Sequence, residues 1–515
     1  MNILKFIKIT IFFLLIANVF TASAFEKSEL LNSKTDLKEK KPNFLIISVD
    51  DVSWFEHSVY GTSNVPTPNV DRIAREGIIF NNGYVSAPSC APARASMLSG
   101  KHFWELEQGA FMQAFFPQKF VTYPQVLNAN GYETCSVGKN WGPGISPSQV
   151  GHNSRTVAGD NYNRFMREDA KETKYLYPRD YVAGLKSFLS ERSADKPFCI
   201  WAGIFEPHGS WMKTNEAITK TKSEFGIDVR KLKSDYYNAK GNSTKPSKQK
   251  LGFFYEMLHY DRTVKMMLDA MEEKGFLDNT MVIFIGDNGT FIRGDNPSGF
   301  ALNKVGANQT PRGKASGYDA GVHVPFFLMW KNRTSGGRVV DDFVSAVDIG
   351  PTILDAAGLA IPKEMSGKSM MKIIDSKASG QIDASRDIMM TGMEHHSVNE
   401  LLPACRNIRD KRFEYIIHFE NDGEEFYDLE KDPWETNNLI NNPKYQSDIT
   451  RLKTKMKKIG VEQGDPRFTG DMALFNHTHE YCDEYKNAKS SKKWQKSFAR
   501  SYAEGLKAVG LPPVP

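Results

Sequence analysis

Several things are scarce in this 515-residue chain. Five cysteines (Cys90, Cys135, Cys199, Cys405 and Cys482) are too few for a small disulfide-stapled scaffold. There is no low-complexity tract and no long block of like charge, so nothing marks the chain as disordered. Net charge is +5, and +3 once residues 1–24, with Lys5 and Lys8 and no acid, are set aside. That excess is too mild to argue for nucleic acid as a partner, although a local basic pocket is compatible with it. No internal repeat is visible. Past residue 24 no stretch is apolar enough to span a bilayer, so no stable membrane anchor is expected.

The N-terminus reads as a targeting segment. Lys5 and Lys8 precede an apolar run from Ile9 to Val19, and Thr21-Ala22-Ser23-Ala24 offers a cleavage site before Phe25. The expectation is a signal peptide over 1–24, a flexible polar leader over 25–41, and a periplasmic or secreted protein. No cysteine follows the apolar run to accept a lipid. Export permits disulfides; with Cys90 set aside, the other four cysteines allow three pairings. Cys135 and Cys199 fall in strand-like runs and read as buried free thiols.

From residue 42 the chain alternates apolar strands with helical segments. Asn43–Val49 is a continuous apolar run, the pattern of a strand buried on both faces. Strands are also expected at Ile78–Tyr84, Tyr132–Val137, Phe198–Ile204, Met281–Ile285 and Pro325–Trp330, with helices between them. The fold class is therefore α/β, a large mostly parallel sheet sandwiched by helices. Residues 385–515 have a different texture, with short strands at Phe413–Phe419 and Glu425–Asp428 and helices at Asp448–Lys458 and Trp494–Lys507. They read as a smaller α+β subdomain beside a main domain over 42–384.

Asp50, Asp51, Lys139, His208, Asp287 and Asn288 all fall just past the C-terminal ends of apolar strands. In open α/β sheets that edge is where ligands bind. Ser89-Cys90-Ala91-Pro92-Ala93-Arg94 joins them. Pro92 suits the first turn of a helix, so Cys90 sits at a helix N-terminus, where free N–H groups favour negative charge. Arg94, about one turn on, can reach back to the same place. The reading is an anion pocket around one modifiable side chain.

These residues resemble the sulfatases of the alkaline phosphatase-like superfamily. The resemblance rests on Cys90-x-Pro92-x-Arg94 followed by Leu98-Ser99-Gly100, on Lys314, Tyr318, Gly321, Val324 and Pro325, and on Glu425-Phe426-Tyr427-Asp428-Leu429 with Asp432-Pro433. It implies that a maturing enzyme oxidises Cys90 to formylglycine, whose hydrate attacks sulfur with one hydroxyl and expels sulfate with the other. It implies one Ca²⁺ held by Asp50, Asp51, the modified Cys90, Asp287 and Asn288. Lys139 and Lys314 would neutralise the sulfuryl and leaving oxygens, His208 would protonate the leaving alcohol, and Arg94 would orient the diol and metal ligands. The expected substrate is a sulfated carbohydrate, in a branch similar to heparan N-sulfatases and bacterial polysaccharide sulfatases. N-sulfoglucosamine, or a phosphonate or phosphodiester, is the alternative; Asp287-Asn288 in place of Asp-His argues against a two-zinc phosphatase.

Two positions depart from the resemblance. Trp141 stands where the family commonly has a histidine, which leaves His102 and His57 as candidate bases, since indole donates but cannot act as one. His323 stands where an arginine often precedes Val-Pro. The lysine-rich stretch 211–250 reads as a long polar insertion after His208, a candidate substrate-binding loop.

Overall fold

A computed structural model describes residues 41–112, 116–117, 119–142, 155–209, 211–233, 248–291, 313–394, 404–419 and 423–475. The targeting segment, Cys482 and the helix expected at Trp494–Lys507 lie outside the described residues. Nine strands build the main sheet: β1 (Asn43–Val49), β2 (Ile78–Tyr84), β3 (Glu133–Gly138), β4 (Arg155–Thr156), β5 (Gly159–Asn161), β6 (Phe198–Ile204), β7 (Thr280–Gly286), β8 (Phe326–Met329) and β9 (Arg338–Ser345). Their order is β4-β5-β3-β6-β1-β7-β8-β2-β9. The four central neighbours β3, β6, β1 and β7 are all parallel, so their C-terminal ends share one edge.

Every residue of β1 is buried, as its unbroken apolar run requires. Alternate side chains feed two cores. Leu45, Ile47 and Val49 face the core shared with α1 (Pro68–Arg75), while Phe44 and Ile46 face the core shared with α2 (Cys90–Ser99) and α3 (Tyr123–Ala129). Helices α4 (Tyr181–Glu191), α5 (Thr214–Phe225) and α6 (Lys248–Glu273) cover the first face. After α7 (Asp319–Val322), α8 (Ile349–Ala356) covers the second.

The sheet is not wholly parallel. Strand β8 runs antiparallel to both neighbours, β7 and β2, because the chain enters it directly from the ligand edge after α7; a parallel strand would need a crossover to the far edge first. β4 and β5 form a two-residue hairpin at the other side. The polar stretch after His208 is also less loop-like than its composition suggests. Residues 214–225 form α5, whose Ala217 and Thr221 are buried and whose Phe225 packs edge-on against Tyr255 of α6. That helical stripe is masked in the sequence by the lysines on its outer face; 234–247 lie outside the described residues.

Four antiparallel strands, β10 (Met389–Met393), β11 (Cys405–Arg409), β12 (Phe413–His418) and β13 (Gly423–Asp428), form the second sheet, backed by α9 (Gln446–Glu462) and followed by the short α10 (Pro466–Thr469). The described elements all belong to one compact unit, Pro42–Pro515. Cys90, Cys135 and Cys199 are free thiols, and all three, like Cys405, are buried. Cys135 and Cys199 sit on neighbouring strands but one register step apart and face opposite cores, which rules out a bond between them.

Candidate active site

The site is assembled on the edge shared by β3, β6, β1 and β7. Asp50 and Asp51 follow β1, and Asp51 takes a left-handed conformation (φ 60°), one that Asp tolerates better than most residues. Two backbone hydrogen bonds stitch the acidic loops together: Asp287 N–H donates to Val49 O (2.8 Å) and Val52 N–H to Asn288 O (3.0 Å). Lys139 follows β3, its N–H donating to Gly203 O at 2.7 Å. Gly203 must be glycine, since a Cβ there would stand 1.7 Å from the Lys139 carbonyl oxygen.

Cys90 opens α2, with Ser89 as N-cap, and is buried. Its thiol donates to Asp50 Oδ1 at 3.5 Å, and Lys314 Nζ lies 3.0 Å from Sγ. Lys314 also donates to Asp51 Oδ1 at 2.5 Å, and Asn288 Nδ2 donates to the same oxygen at 2.8 Å. Lys139 Nζ pairs with Asp50 Oδ2. Arg94 reaches past the thiol: Nη1 pairs with Asp287 Oδ2 and lies 3.7 Å from Asp50 Oδ2, while Nη2 donates to Gly142 O. His208 stands at the rim, its side chain 30% exposed, with Nε2 3.9 Å from Asp51 Oδ2. Its Nδ1 is 2.8 Å from Gly209 O, an acceptor, so Nδ1 carries the fixed proton and Nε2 faces the pocket.

Burial works to raise the Asp50 carboxyl, but the charges of Lys139, His208, Lys314 and Arg94 outweigh it and hold the group well below the carboxylate range. Asp287 goes the other way, pushed up by burial and by the negative charge of Asp50 against the pull of Arg94. Burial disfavours the Lys314 ammonium, yet Asp51, Cys90 and Asp50 raise it well above the ordinary lysine value.

The donor set fits a hard cation. Asp50, Asp51 and Asp287 offer carboxylate oxygens, and Asn288 Oδ1 is buried with no hydrogen-bond partner. A divalent ion among these oxygens would also relieve the repulsion between Asp50 and Asp287. Ligand atoms of Asp50, Asp51, Cys90 and His208 lie within 4.8 Å of one another.

The eight residues singled out at strand ends and on α2, together with Lys314, therefore meet in one place. The candidate bases do not. His57 is buried between Thr67 and Tyr260, its Nε2 3.0 Å from the Tyr260 hydroxyl. His102 stacks on Trp104 (4.5 Å) beside Ser86. Trp141 is buried against Phe116. His323 is stacked between Trp54 and Tyr84, with Asp319 on Nδ1 and the Asn81 carbonyl on Nε2. Two contributors escaped the sequence reading. The Gly142 carbonyl anchors Arg94, and the Phe205 ring lies against both Lys139 and His208. A backbone oxygen leaves no sequence signal; Phe205 had one, its place at the end of β6 three residues before His208.

A cysteine at a helix start, ringed by cations and acids at the edge of a parallel sheet, has the charge and the place in the fold to hold an anion. The chain belongs to the sulfatase family, whose profile matches residues 42–359, and is a sulfuric ester hydrolase. A second profile, N-sulphoglucosamine sulphohydrolase, C-terminal, matches residues 313–462. Among curated relatives, an ulvan-active sulfatase of Formosa agariphila is 24% identical over 471 residues, covering 85% of this chain and 84% of its own. An N-acetylglucosamine-6-O-sulfatase of Bacteroides thetaiotaomicron is 25% identical over 530 residues (85% and 91%). In fold, the chain is similar to a protein solved in complex with its substrate D-glucosamine-2-N,6-O-disulfate (TM-score 0.65, 20% identity, 83% of this chain and 99% of that one).

Proposed function

We propose that this protein is an exported, formylglycine-dependent sulfatase that hydrolyses sulfate esters of a sulfated polysaccharide or its oligosaccharides. The observation that carries the reading is the approach of Lys314 Nζ and Asp50 Oδ1 to Cys90 Sγ, at 3.0 and 3.5 Å, at the start of α2. The names of the ulvan- and glucosamine-directed relatives support a carbohydrate substrate. Cys90, oxidised to formylglycine by a maturing enzyme, supplies the nucleophile as its hydrate. Asp50, Asp51, Asp287 and Asn288, with the modified residue, would hold Ca²⁺, which when bound polarises a sulfate oxygen and acidifies the attacking hydroxyl.

The remaining work falls to the chain's own side chains. Lys314 lies against the nucleophile and stabilises negative charge as it develops on the sulfuryl oxygens. Lys139, 15% exposed, presents its ammonium from the rim to the sulfate and leaving oxygen. His208 holds a proton on Nδ1 through Gly209 O and delivers the second, from Nε2, to the departing alcohol. Arg94 fixes Asp287 and the 139–142 turn at once. Residues 1–24 act as the signal peptide, and 42–384 and 385–515 as catalytic domain and smaller subdomain. Among the described residues no helix is long and apolar enough to cross a membrane.

The match of residues 313–462 to the N-sulphoglucosamine sulphohydrolase profile favours one second reading, cleavage of an N-sulfate. The test is peptide mass spectrometry across Cys90 of protein coexpressed with a maturing enzyme, followed by sulfate release from a panel of O-sulfated and N-sulfated oligosaccharides. An aldehyde mass and release from O-sulfated members are expected. Release from N-sulfated members alone moves the assignment to the second reading. An intact thiol in protein that still turns over, or no sulfate release from any member of the panel by matured protein, overturns both.

A further inference from the structure

A column of four aromatic rings leads from the interior to the rim of the pocket. Tyr181 of α4 stacks on Tyr177 (centroids 5.7 Å apart, planes at 11°), Tyr177 on Phe205 (5.3 Å, 26°), and Phe205 meets the His208 ring (4.7 Å, 40°). Lys139 Nζ stands 5.2 Å from the centre of the Phe205 ring. Phe205 is thus the one ring of the column that touches two functional side chains from different strands, β3 and β6.

The column is anchored at its base. The Phe205 N–H donates to the Tyr181 hydroxyl (3.0 Å), and that hydroxyl donates to Glu206 Oε2 (2.8 Å). Glu206, itself buried, accepts the Tyr177 N–H on Oε1 (2.7 Å). The backbone N–H of His208 closes on the Phe205 carbonyl at 3.0 Å. Residues 205–208 are therefore pinned at ring, backbone and carboxylate.

We propose that Phe205 is a positioning residue for the sulfatase reaction, its ring setting the spacing of the Lys139 ammonium and the His208 imidazole across the pocket. The inference rests on the roles given above to Lys139 and His208. An aromatic face suits the task for a physical reason. Its quadrupole attracts and orients the ammonium, yet it carries no formal charge to neutralise it and offers no acceptor to compete with a sulfate oxygen. A carboxylate in the same place would add a second negative charge to that of Asp50, which already pairs with Lys139; an aliphatic chain would leave Asp50 alone to orient it.

The test compares wild type, Phe205→Leu, Phe205→Tyr, Lys139→Ala, His208→Ala and the double variant Phe205→Leu/Lys139→Ala, all matured, on the best substrate of the panel. Phe205→Leu lowers kcat by about tenfold with KM changed by less than about threefold. Its Tm stays within about 2 °C of wild type. Phe205→Tyr, which keeps the ring, restores kcat to within about threefold. In the Lys139→Ala background the Phe205→Leu effect shrinks, because the two side chains act as a unit. Wild-type kcat in Phe205→Leu, full additivity in the double variant, or a tyrosine variant as poor as the leucine one overturns the proposal. If Lys139→Ala and His208→Ala themselves retain wild-type kcat, the site assignment falls, and this proposal with it. If they lose activity and Phe205→Leu does not, this proposal alone falls.

Discussion

Beside the second sheet, Arg406 is fully buried with Glu394 and Asp465, and the part-buried Arg467 joins them; at the edge of the first, Arg94, Lys139 and Lys314 gather round Asp50, Asp51 and Asp287. The first cluster balances two cations against two carboxylates. Arg406 donates through Nε to Asp465 Oδ2 (2.6 Å), through Nη2 to Asp465 Oδ1 (2.9 Å) and Glu394 Oε1 (2.6 Å), and through Nη1 to the Cys405 carbonyl (2.9 Å). Arg467 takes the other Glu394 oxygen at 2.7 Å. The second cluster leaves atoms over: Asn288 Oδ1 and Arg94 Nε are buried without partners, and His208 Nε2 stands 3.9 Å from Asp51 Oδ2 at the rim. A cluster whose donors and acceptors are all matched locks β11 to the α10 loop and has nothing left to offer a ligand. A cluster with unspent donors, acceptors and charge can take both a cation and an anion.

The sharpest way to break that contrast is Cys90→Ala. Turnover falls to the assay background while Tm stays within about 2 °C, because a buried Cys to Ala change at a helix start leaves only a small void. Residual turnover would mean that the open cluster is structural after all. Lys139→Ala comes next, with kcat lower by about 10²–10³-fold and a smaller change in KM, since its charge acts mainly on the transition state. A change confined to KM contradicts this.

Arg406→Ala should show the reverse pattern. Stranding Asp465 and leaving Glu394 to Arg467 alone costs about 3–5 kcal/mol of stability, read by urea denaturation, whereas kcat per folded molecule stays within about twofold. Loss of kcat without loss of stability would erase the distinction between the clusters. Calcium sharpens it from the other side. Chelation should lower activity and reduce stability by about 2–3 kcal/mol relative to protein in Ca²⁺ at about a hundred times Kd, with recovery on re-addition. Asp287→Ala should abolish that Ca²⁺-dependent stabilisation, and Arg406→Ala should leave its size unchanged.

The smallest effect lies in neither cluster. Burial pushes His57 down to about 3, so it is neutral in the folded protein, whereas the unfolded chain binds the proton near the ordinary histidine value. Its contribution to stability is complete above about pH 6.5 and is lost as pH falls from there toward 3, by about 1.4 kcal/mol per pH unit. Denaturation curves between pH 7 and 5 should therefore flatten by that slope in His57→Gln. Equal slopes would place the acid sensitivity in the clusters instead.

Much of the architecture could be read from local pattern. The run Asn43–Val49 announces a doubly buried strand, and it is one over those same residues. Acids and a lysine just beyond such strands converge because parallel neighbours end at a common edge, whatever the residues between them. Strand direction was not legible, since apolar periodicity carries none, and so β8 entered the sheet antiparallel. The helix at 214–225 was hidden because one apolar stripe suffices to bury a helix, however many lysines line its outer face.

By itself, then, the sequence determined which residues carry charge, where strands end, and that Cys90 begins a helix; these are properties of neighbours along the chain. Tertiary structure alone decided what each of them faces. Arg94, one turn from Cys90, passes it to reach Asp287, which is 193 residues away. His57 and His102 were drawn into the interior, while Phe205, marked in the sequence only by its place at the end of β6, was set against both Lys139 and His208. The reason is that a contact across a sheet is set by register and burial summed over the whole fold, and no window of adjacent residues contains that sum.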